Sequence, residues 1–316
     1  MGCANIAIRT VIPTLLAHPE FDVISVASRS PQKAQETATH FNCEAVVGYE
    51  ALLEDARLDA IYMPLPTGLH EEWVLKALEA GKHILVEKSL AMNFASAKTM
   101  VTLAREKGLL IMENFMFLYH SQHKLVADMI TNGDIGEIRS FRSAFGFPPL
   151  APDNFRYNRA LGGGALLDAA AYTIRASQLF LEPGLSVQGA NLHRKDPDGV
   201  DVFGGAFLKN DTGQFSQVAF GFDNFYQCDY EIWGSKGKIT AKKAFTPKPT
   251  EKPRIIVEKQ DYRSEFDAPA DDHFLNILSE FHRCIMTADF AEKHAEITNQ
   301  SRLLQEIYET SQRSGA

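Results

Sequence analysis

The chain has 316 residues, 45% apolar and 23% charged, with a net charge of −8. That length exceeds the roughly 100–200 residues of one domain, so two domains are expected, and the negative charge opposes the polyanionic backbone of nucleic acid. No stretch approaches the roughly 18 apolar residues that cross a bilayer; the start lacks a leader pattern, and Cys3, Cys43, Cys228 and Cys284 have neither paired nor metal-ligand spacing, so a reduced, cytoplasmic protein without a metal, membrane or nucleic-acid partner is expected.

The first residues, Gly2-Cys3-Ala4-Asn5-Ile6-Ala7, resemble a relaxed form of the dinucleotide fingerprint G-x-G-x-x-G. That motif needs a tight turn, close approach of backbone to pyrophosphate and a helix N-terminus aimed at the anion. A plain small-residue helix start is the competing reading. A strand over Phe21–Ala27, placed where a second Rossmann strand belongs, favours the fingerprint. The fingerprint should itself follow a strand, and this chain begins at the loop, so the first strand is expected to be missing and its neighbours unpaired. A short start, a gap filled by another segment and an impaired cofactor site all remain open.

Up to about residue 113, short β-rich runs alternate with amphipathic helical stretches, the pattern of βαβ units and a parallel sheet. Ser30 and Pro31 open a helix to about Phe41; Asp59–Met63 is a strand; Thr67 caps a helix ending at Gly81; His83–Val86 is a third strand; Asn93 caps a helix that closes at Gly108; Leu109–Met112 follows as a strand. At the end of the Phe21–Ala27 strand, Ser28-Arg29-Ser30 stands where an acidic residue would hold the ribose of NAD. A guanidinium with two hydroxyls suits a 2′-phosphate, so NADP is favoured over NAD; an exposed turn arginine is the alternative. Glu87-Lys88 directly follows the His83–Val86 strand, at the sheet edge where ligands bind, and reads equally as a surface ion pair.

Beyond residue 115 the texture becomes β-rich. Strands are expected over Glu137–Phe147, Ser186–His193, Val202–Leu208, Gln214–Phe222, Tyr226–Trp233 and Lys238–Ala241, several joined by turns such as Asn210-Asp211-Thr212-Gly213. Helices are expected over Gly164–Leu181, Asp271–Met286 and Ala291–Ser311, and Pro247–Pro253 reads as a loop. The expected fold is therefore α/β: a Rossmann-type parallel sheet over 1–114, then an α+β domain with a large, mostly antiparallel sheet over 115–316. Asn154, Arg156 and Tyr157 precede the run Gly162-Gly163-Gly164, which opens the helix carrying Asp168 and Tyr172 one turn apart. Such an acid and phenol are either a buried structural pair or a catalytic pair. Arg156 suits a substrate diphosphate, or a salt bridge to a neighbouring carboxylate.

Together the Glu87-Lys88 turn, the Gly-Gly-Gly-x-x-x-Asp-x-x-x-Tyr helix and the two-part layout resemble the glucose-fructose oxidoreductase / inositol dehydrogenase (Gfo/Idh/MocA) family. Tyr172, where histidine is commoner, is similar to the branch holding dihydrodiol and xylose dehydrogenases and the ketoreductases of nucleotide-linked deoxysugars. The resemblance implies that Lys88 contacts the reacting oxygen, that Tyr172 gives or takes the proton, and that Asp168 orients it. Charge developing on that oxygen would be stabilised by the ammonium and quenched by the phenol, whose pKa the same cation would lower from about 10. Pro64, Leu65, His70 and Glu87 join Gly2, Cys3, Ala4, Asn5, Ile6, Ser28, Arg29, Ser30 and Lys88 as implied cofactor contacts. His120 matches a histidine kept by the family and is a substrate candidate beside Asn154, Arg156 and Tyr157; a packed structural histidine is the competing reading.

Ser89 replaces the family's proline, often cis; since a non-proline cis bond costs about 2.5–4 kcal/mol, a trans turn is expected. The resemblance implies no metal, and a homodimer or homotetramer assembled through the second-domain sheet. The implied activity is hydride transfer to or from a sugar carbon, on a nucleotide-linked keto-sugar, a free sugar or a dihydrodiol. A non-catalytic relative with a degraded cofactor site is the alternative of a different class.

Overall fold

The computed structural model describes residues 1–181 and 183–313. They form two compact units, Met1–Phe115 with Phe274–Ser301, and Met116–His273 with the residues from Arg302 onward. Phe274–Ser301, assigned from sequence to the second half, thus group with the first unit.

In the first unit a π-helical turn, Ala7–Val11, runs into α1 (Ile12–Ala17). Then come β1 (Ser25–Ser28), α2 (Pro31–Phe41), β2 (Glu44–Val47), α3 (Glu50–Leu53), β3 (Ala60–Met63), α4 (His70–Glu79), β4 (His83–Val86), α5 (Phe94–Lys107) and β5 (Ile111–Glu113). The capping signals act as the sequence suggests. Ser30 accepts from the Lys33 N–H with Pro31 in the first turn, Asn93 accepts from the Ser96 N–H, and Gly108 closes α5 at φ 65°. β2 was not anticipated: its side chains are mostly exposed, so it carries neither a buried apolar run nor a clean alternation. β1 is shorter than expected because Phe21 packs as a ring, 6.5 Å from Phe281 and edge-on to His18 at 5.1 Å, and β pairing begins only at Ser25.

All strand pairs here are parallel, but they fall into two sheets, β1-β2 and β3-β4-β5. The expected central strand is the break between them. Two backbone bonds cross that break: the Met1 amine donates to Tyr62 O and Gly2 N–H donates to Ala27 O, each at 2.8 Å. The core below includes the fully buried Met63, Val74, Leu78, Ile84 and Met100, each worth about 1.5–3 kcal/mol of transfer free energy.

In the second unit α6 (Ser121–Thr131) precedes β6 (Ile138–Gly146). α7 (Ala171–Phe180) follows a π-turn over Leu166–Ala170. Next come β7 (Ser186–Arg194), β8 (Asp201–Lys209), β9 (Phe215–Gly221), β10 (Gln227–Gly234), β11 (Lys238–Lys242), β12 (Arg254–Lys259) and β13 (Tyr262–Asp267). These strands make one eight-stranded sheet in the order β13-β12-β11-β10-β6-β9-β8-β7, antiparallel except where β6 runs beside β9. α6, β12 and β13 went unanticipated; β13 is a half-exposed edge strand whose charged side chains mask its pattern. Phe141, Phe180 and Tyr230 stack between the sheet and α7, with ring centroids 4.9–6.0 Å apart. Two helices, α8 (His273–Thr287) and α9 (Ala291–Arg313), end the described chain.

Candidate functional site

The first unit gathers its candidates at the C-terminal ends of β1, β3 and β4. In open parallel sheets ligands bind at that edge. Gly2 sits there at φ 92°, and a Cβ on it would lie 2.9 Å from Leu65 Cδ2, so both backbone and space call for glycine. The helix starts directly after it, with Ile8 N–H on Ala4 O at 3.0 Å, while Asn5 and Ile6 are exposed and Cys3 is buried against Ala27 O. A glycine turn leading into a helix N-terminus fits a dinucleotide pyrophosphate.

At the end of β1, Ser28 Oγ accepts from Ser30 N–H at 3.2 Å, and Ser30 Oγ is spent on capping α2. Arg29 is exposed beside Tyr49, whose phenol is pushed up by burial and drawn back by that guanidinium. After β3, Pro64 and Leu65 are buried. His70 is fully buried: Nε2 lies 2.8 Å from Leu65 O, and Nδ1 lies 3.1 and 3.0 Å from Ser89 O and Leu90 O. Burial pushes its pKa below the usual histidine value. The neutral ring has one N–H to give to a carbonyl, and with its two nitrogens facing Leu65 O on one side and Ser89 O and Leu90 O on the other, His70 packs between the loop after β3 and the turn after β4 instead of reaching outward.

That turn carries Lys88. Glu87 accepts from Tyr62 Oη and Asn114 Nδ2, each at 2.7 Å, and Leu90 N–H donates to the Glu113 carboxylate at 2.7 Å. The Lys88–Ser89 peptide is cis, correcting the trans expectation. Glu87 N–H donates to Met63 O on one side of Lys88 and Leu90 N–H to the Glu113 carboxylate on the other, so the turn is held by residues far off in sequence, which no single dipeptide reveals.

In the second unit, Asn154 Oδ1 accepts from Arg156 N–H, and Tyr157 Oη accepts from Leu150 N–H, each at 3.1 Å. Both side chains shape the loop. Gly164 N–H donates to Arg156 O at 3.0 Å, and a Cβ on Gly163 would lie 2.4 Å from the same oxygen, so the glycine run lets this loop close onto the helix start. The closure brings Arg156 Nε to Asp168 Oδ2 at 2.6 Å. Of the two readings of Arg156, the salt bridge is therefore made, and its partner is the candidate acid itself.

Asp168 lies inside the π-turn and Tyr172 in the α-helix after it. Tyr172 is 8% exposed, ringed by Phe145, Phe117 and Phe245 with centroids 4.9, 5.7 and 5.8 Å away. His120 is buried: Nδ1 accepts from Gln122 N–H at 3.1 Å, capping α6, so Nε2 carries the proton of the neutral ring and has no hydrogen-bond partner. Desolvation holds its pKa down.

Sequence reasoning missed Asp201. Its carboxylate, 8% exposed at the start of β8, accepts from Leu166 N–H at 2.6 Å and so caps the segment that carries Asp168 and Tyr172. The contact spans 35 residues, and no local motif announces it. Among the described residues no group of three or more His, Cys, Asp or Glu could hold a metal, and no helix is long and apolar enough to cross a membrane.

Comparison with known proteins gives a consistent picture. Residues 1–115 match the family described as oxidoreductase family, NAD-binding Rossmann fold, and residues 123–240 match the GFO/IDH/MocA C-terminal domain. A dTDP-3,4-didehydro-2,6-dideoxy-alpha-D-glucose 3-reductase of Saccharopolyspora spinosa is 43% identical over 90% of this chain and 86% of its own. A D-xylose 1-dehydrogenase (NADP(+)) of Haloferax volcanii is 29% identical over 100% of this chain and 97% of its own. The crystal structure of a 3-ketoreductase from Actinomadura kijaniata with NADP and TDP-benzene superposes at TM-score 0.95, with 41% identity, covering 98% of this chain and 95% of that one. Variants of that ketoreductase with one tyrosine or one lysine replaced have also been solved, and those two positions are as far apart in its sequence as Lys88 and Tyr172 are here.

Proposed function

The chain belongs to the Gfo/Idh/MocA oxidoreductase family, and from that premise we propose that it is an NADP-dependent ketoreductase of a nucleotide-linked keto-sugar. The observation that carries the assignment is the shared lysine-to-tyrosine separation with the Actinomadura enzyme. Lys88, held in its turn by the bonds to its neighbours, places an ammonium against the substrate oxygen and stabilises the charge that develops there. Tyr172 donates the proton to that oxygen. Asp168, itself fixed by Arg156, orients the tyrosine end of the site. Nicotinamide, when bound, supplies the hydride. Gly2 and the helix start receive the pyrophosphate, and Arg29 receives the 2′-phosphate.

A titration of cofactor fluorescence tests the cofactor half: NADPH binding tighter than NADH supports the assignment, whereas no binding of either favours a non-catalytic relative. Turnover with and without the nucleotidyl group tests the substrate half. Equal turnover of a free sugar or a dihydrodiol would point to the dehydrogenase alternative.

A cytoplasmic homodimer or homotetramer completes the proposal. On the large sheet Phe203 and Phe207 of β8 are each 38% exposed and Trp233 of β10 is 54% exposed. Exposed aromatic side chains on one sheet suit a self-complementary contact. Light scattering of the native chain and of Trp233→Glu checks it: a monomeric native protein removes the proposal.

A further inference from the structure

Arg29 and Tyr49 leave the ends of two paired strands side by side. Ser28 pairs with Val47 in the last register of β1 and β2, and Gly48 N–H donates to Ser28 O at 3.0 Å, so Arg29 and Tyr49 start from neighbouring backbone. Gly48 turns the chain there at φ 89°, a conformation open to glycine at no steric cost. The turn sends Tyr49 inward: it is 5% exposed, and its ring meets Trp73 edge-on at 5.0 Å. Arg29 stays exposed to solvent. The two meet at Tyr49 Oη, to which the Arg29 guanidinium donates, and a Cβ on Gly2 would lie 3.7 Å from the same oxygen. One hydroxyl on a core-locked ring thus stands between the dinucleotide turn and the exposed cation.

We propose that Tyr49 is a positioning residue for NADP recognition, whose phenol oxygen holds the Arg29 guanidinium in the orientation that a ribose 2′-phosphate needs. An exposed arginine samples many rotamers, and freezing them on binding weakens the complex. A partner whose own ring is fixed against Trp73 removes part of that loss before the cofactor arrives. A guanidinium has five N–H donors, so one given to Tyr49 leaves the rest for the phosphate oxygens. This role rests on the assignment of Arg29 to the 2′-phosphate and is independent of the proton-transfer chemistry.

Dissociation constants for NADPH and NADH, read by cofactor fluorescence on the native chain, Tyr49→Phe, Arg29→Ala and the double variant, test it. Phenylalanine keeps the ring against Trp73 and removes only the hydroxyl. NADPH binding should weaken about 3- to 10-fold in Tyr49→Phe, the range of one hydrogen bond, with NADH within about 2-fold. Between Arg29→Ala and the double variant, NADPH binding should differ by less than about 2-fold, because the hydroxyl acts through the guanidinium; a general loss of stability would weaken both nucleotides in both backgrounds. Unchanged NADPH binding in Tyr49→Phe, an equal loss for NADH, or a loss that persists without Arg29 overturns the positioning role and leaves the assignment of Arg29 standing. A native chain that binds NADPH no tighter than NADH removes the assignment of Arg29 itself, and the role of Tyr49 with it.

Discussion

Arg156 Nε donates to Asp168 Oδ2 at 2.6 Å, with the two side chains 30% and 15% exposed. The residue that the sequence offered for binding a substrate phosphate is thus committed to the acid beside the proposed proton donor. Arg156→Ala should lower kcat/KM by about 10- to 100-fold, the range of a charge-assisted hydrogen bond, and Asp168→Asn should resemble it. Steady-state kinetics check this, and a pure KM effect on nucleotide-linked substrates would instead assign Arg156 to the phosphate.

Arg29 is the one cation of the Ser28-Arg29-Ser30 turn, and Ser30 has its hydroxyl occupied as a cap. Replacing Arg29 with Ala should weaken NADPH binding about 10- to 100-fold while leaving NADH within about 2-fold, because only the 2′-phosphate loses a partner. Dissociation constants for both nucleotides decide it.

Asp201 anchors the helix start at Leu166. Asp201→Ala should cost about 1–2 kcal/mol of stability, as the loss of a helix cap does, and should lower kcat through the position of Tyr172. Asp201→Asn keeps an acceptor and should recover most of the activity. Melting curves and kinetics on both variants check it.

Two buried histidines set a pH dependence. His123 places Nδ1 3.0 Å from Tyr230 Oη and Nε2 3.0 Å from Ala244 O, and burial pushes its pKa down to about 3; burial likewise pushes His273 down to about 4. Both stay neutral in the fold and bind a proton when unfolded. Their contribution is intact above about pH 6.5, and stability falls as the pH drops through the window down to about 3, by up to roughly 1.4 kcal/mol per pH unit for each. Chemical denaturation across pH 7 to about 4 should show this slope, and His123→Gln should reduce it by about one proton's worth.

Local signals in the sequence reached far into this structure. Ser30, Asn93 and Gly108 punctuate helices because their chemistry acts within a few residues, and Gly2 is demanded by a turn that the motif itself describes. The same holds for the glycine run ahead of Asp168. What stayed hidden depends on distant partners. Glu87, Ser89 and Leu90 are fixed by Asn114, His70 and Glu113, Asp201 reaches across 35 residues to Leu166, and Phe274–Ser301 return to the first unit from near the end of the chain. β2 and β13 are edge strands whose exposed side chains obscure any period.

The central claim is hydride delivery to a sugar carbonyl with Lys88 and Tyr172 serving the oxygen. Incubating the chain with NADPH deuterated at the transferred position and a dTDP-linked 3-keto-sugar tests it most directly, read by mass spectrometry of the sugar. One deuterium on the reduced carbon is expected, with Tyr172→Phe and Lys88→Ala slowing its appearance by about 100-fold or more. An unlabelled sugar with NADPH unconsumed, or labelling that both variants leave untouched, contradicts the account.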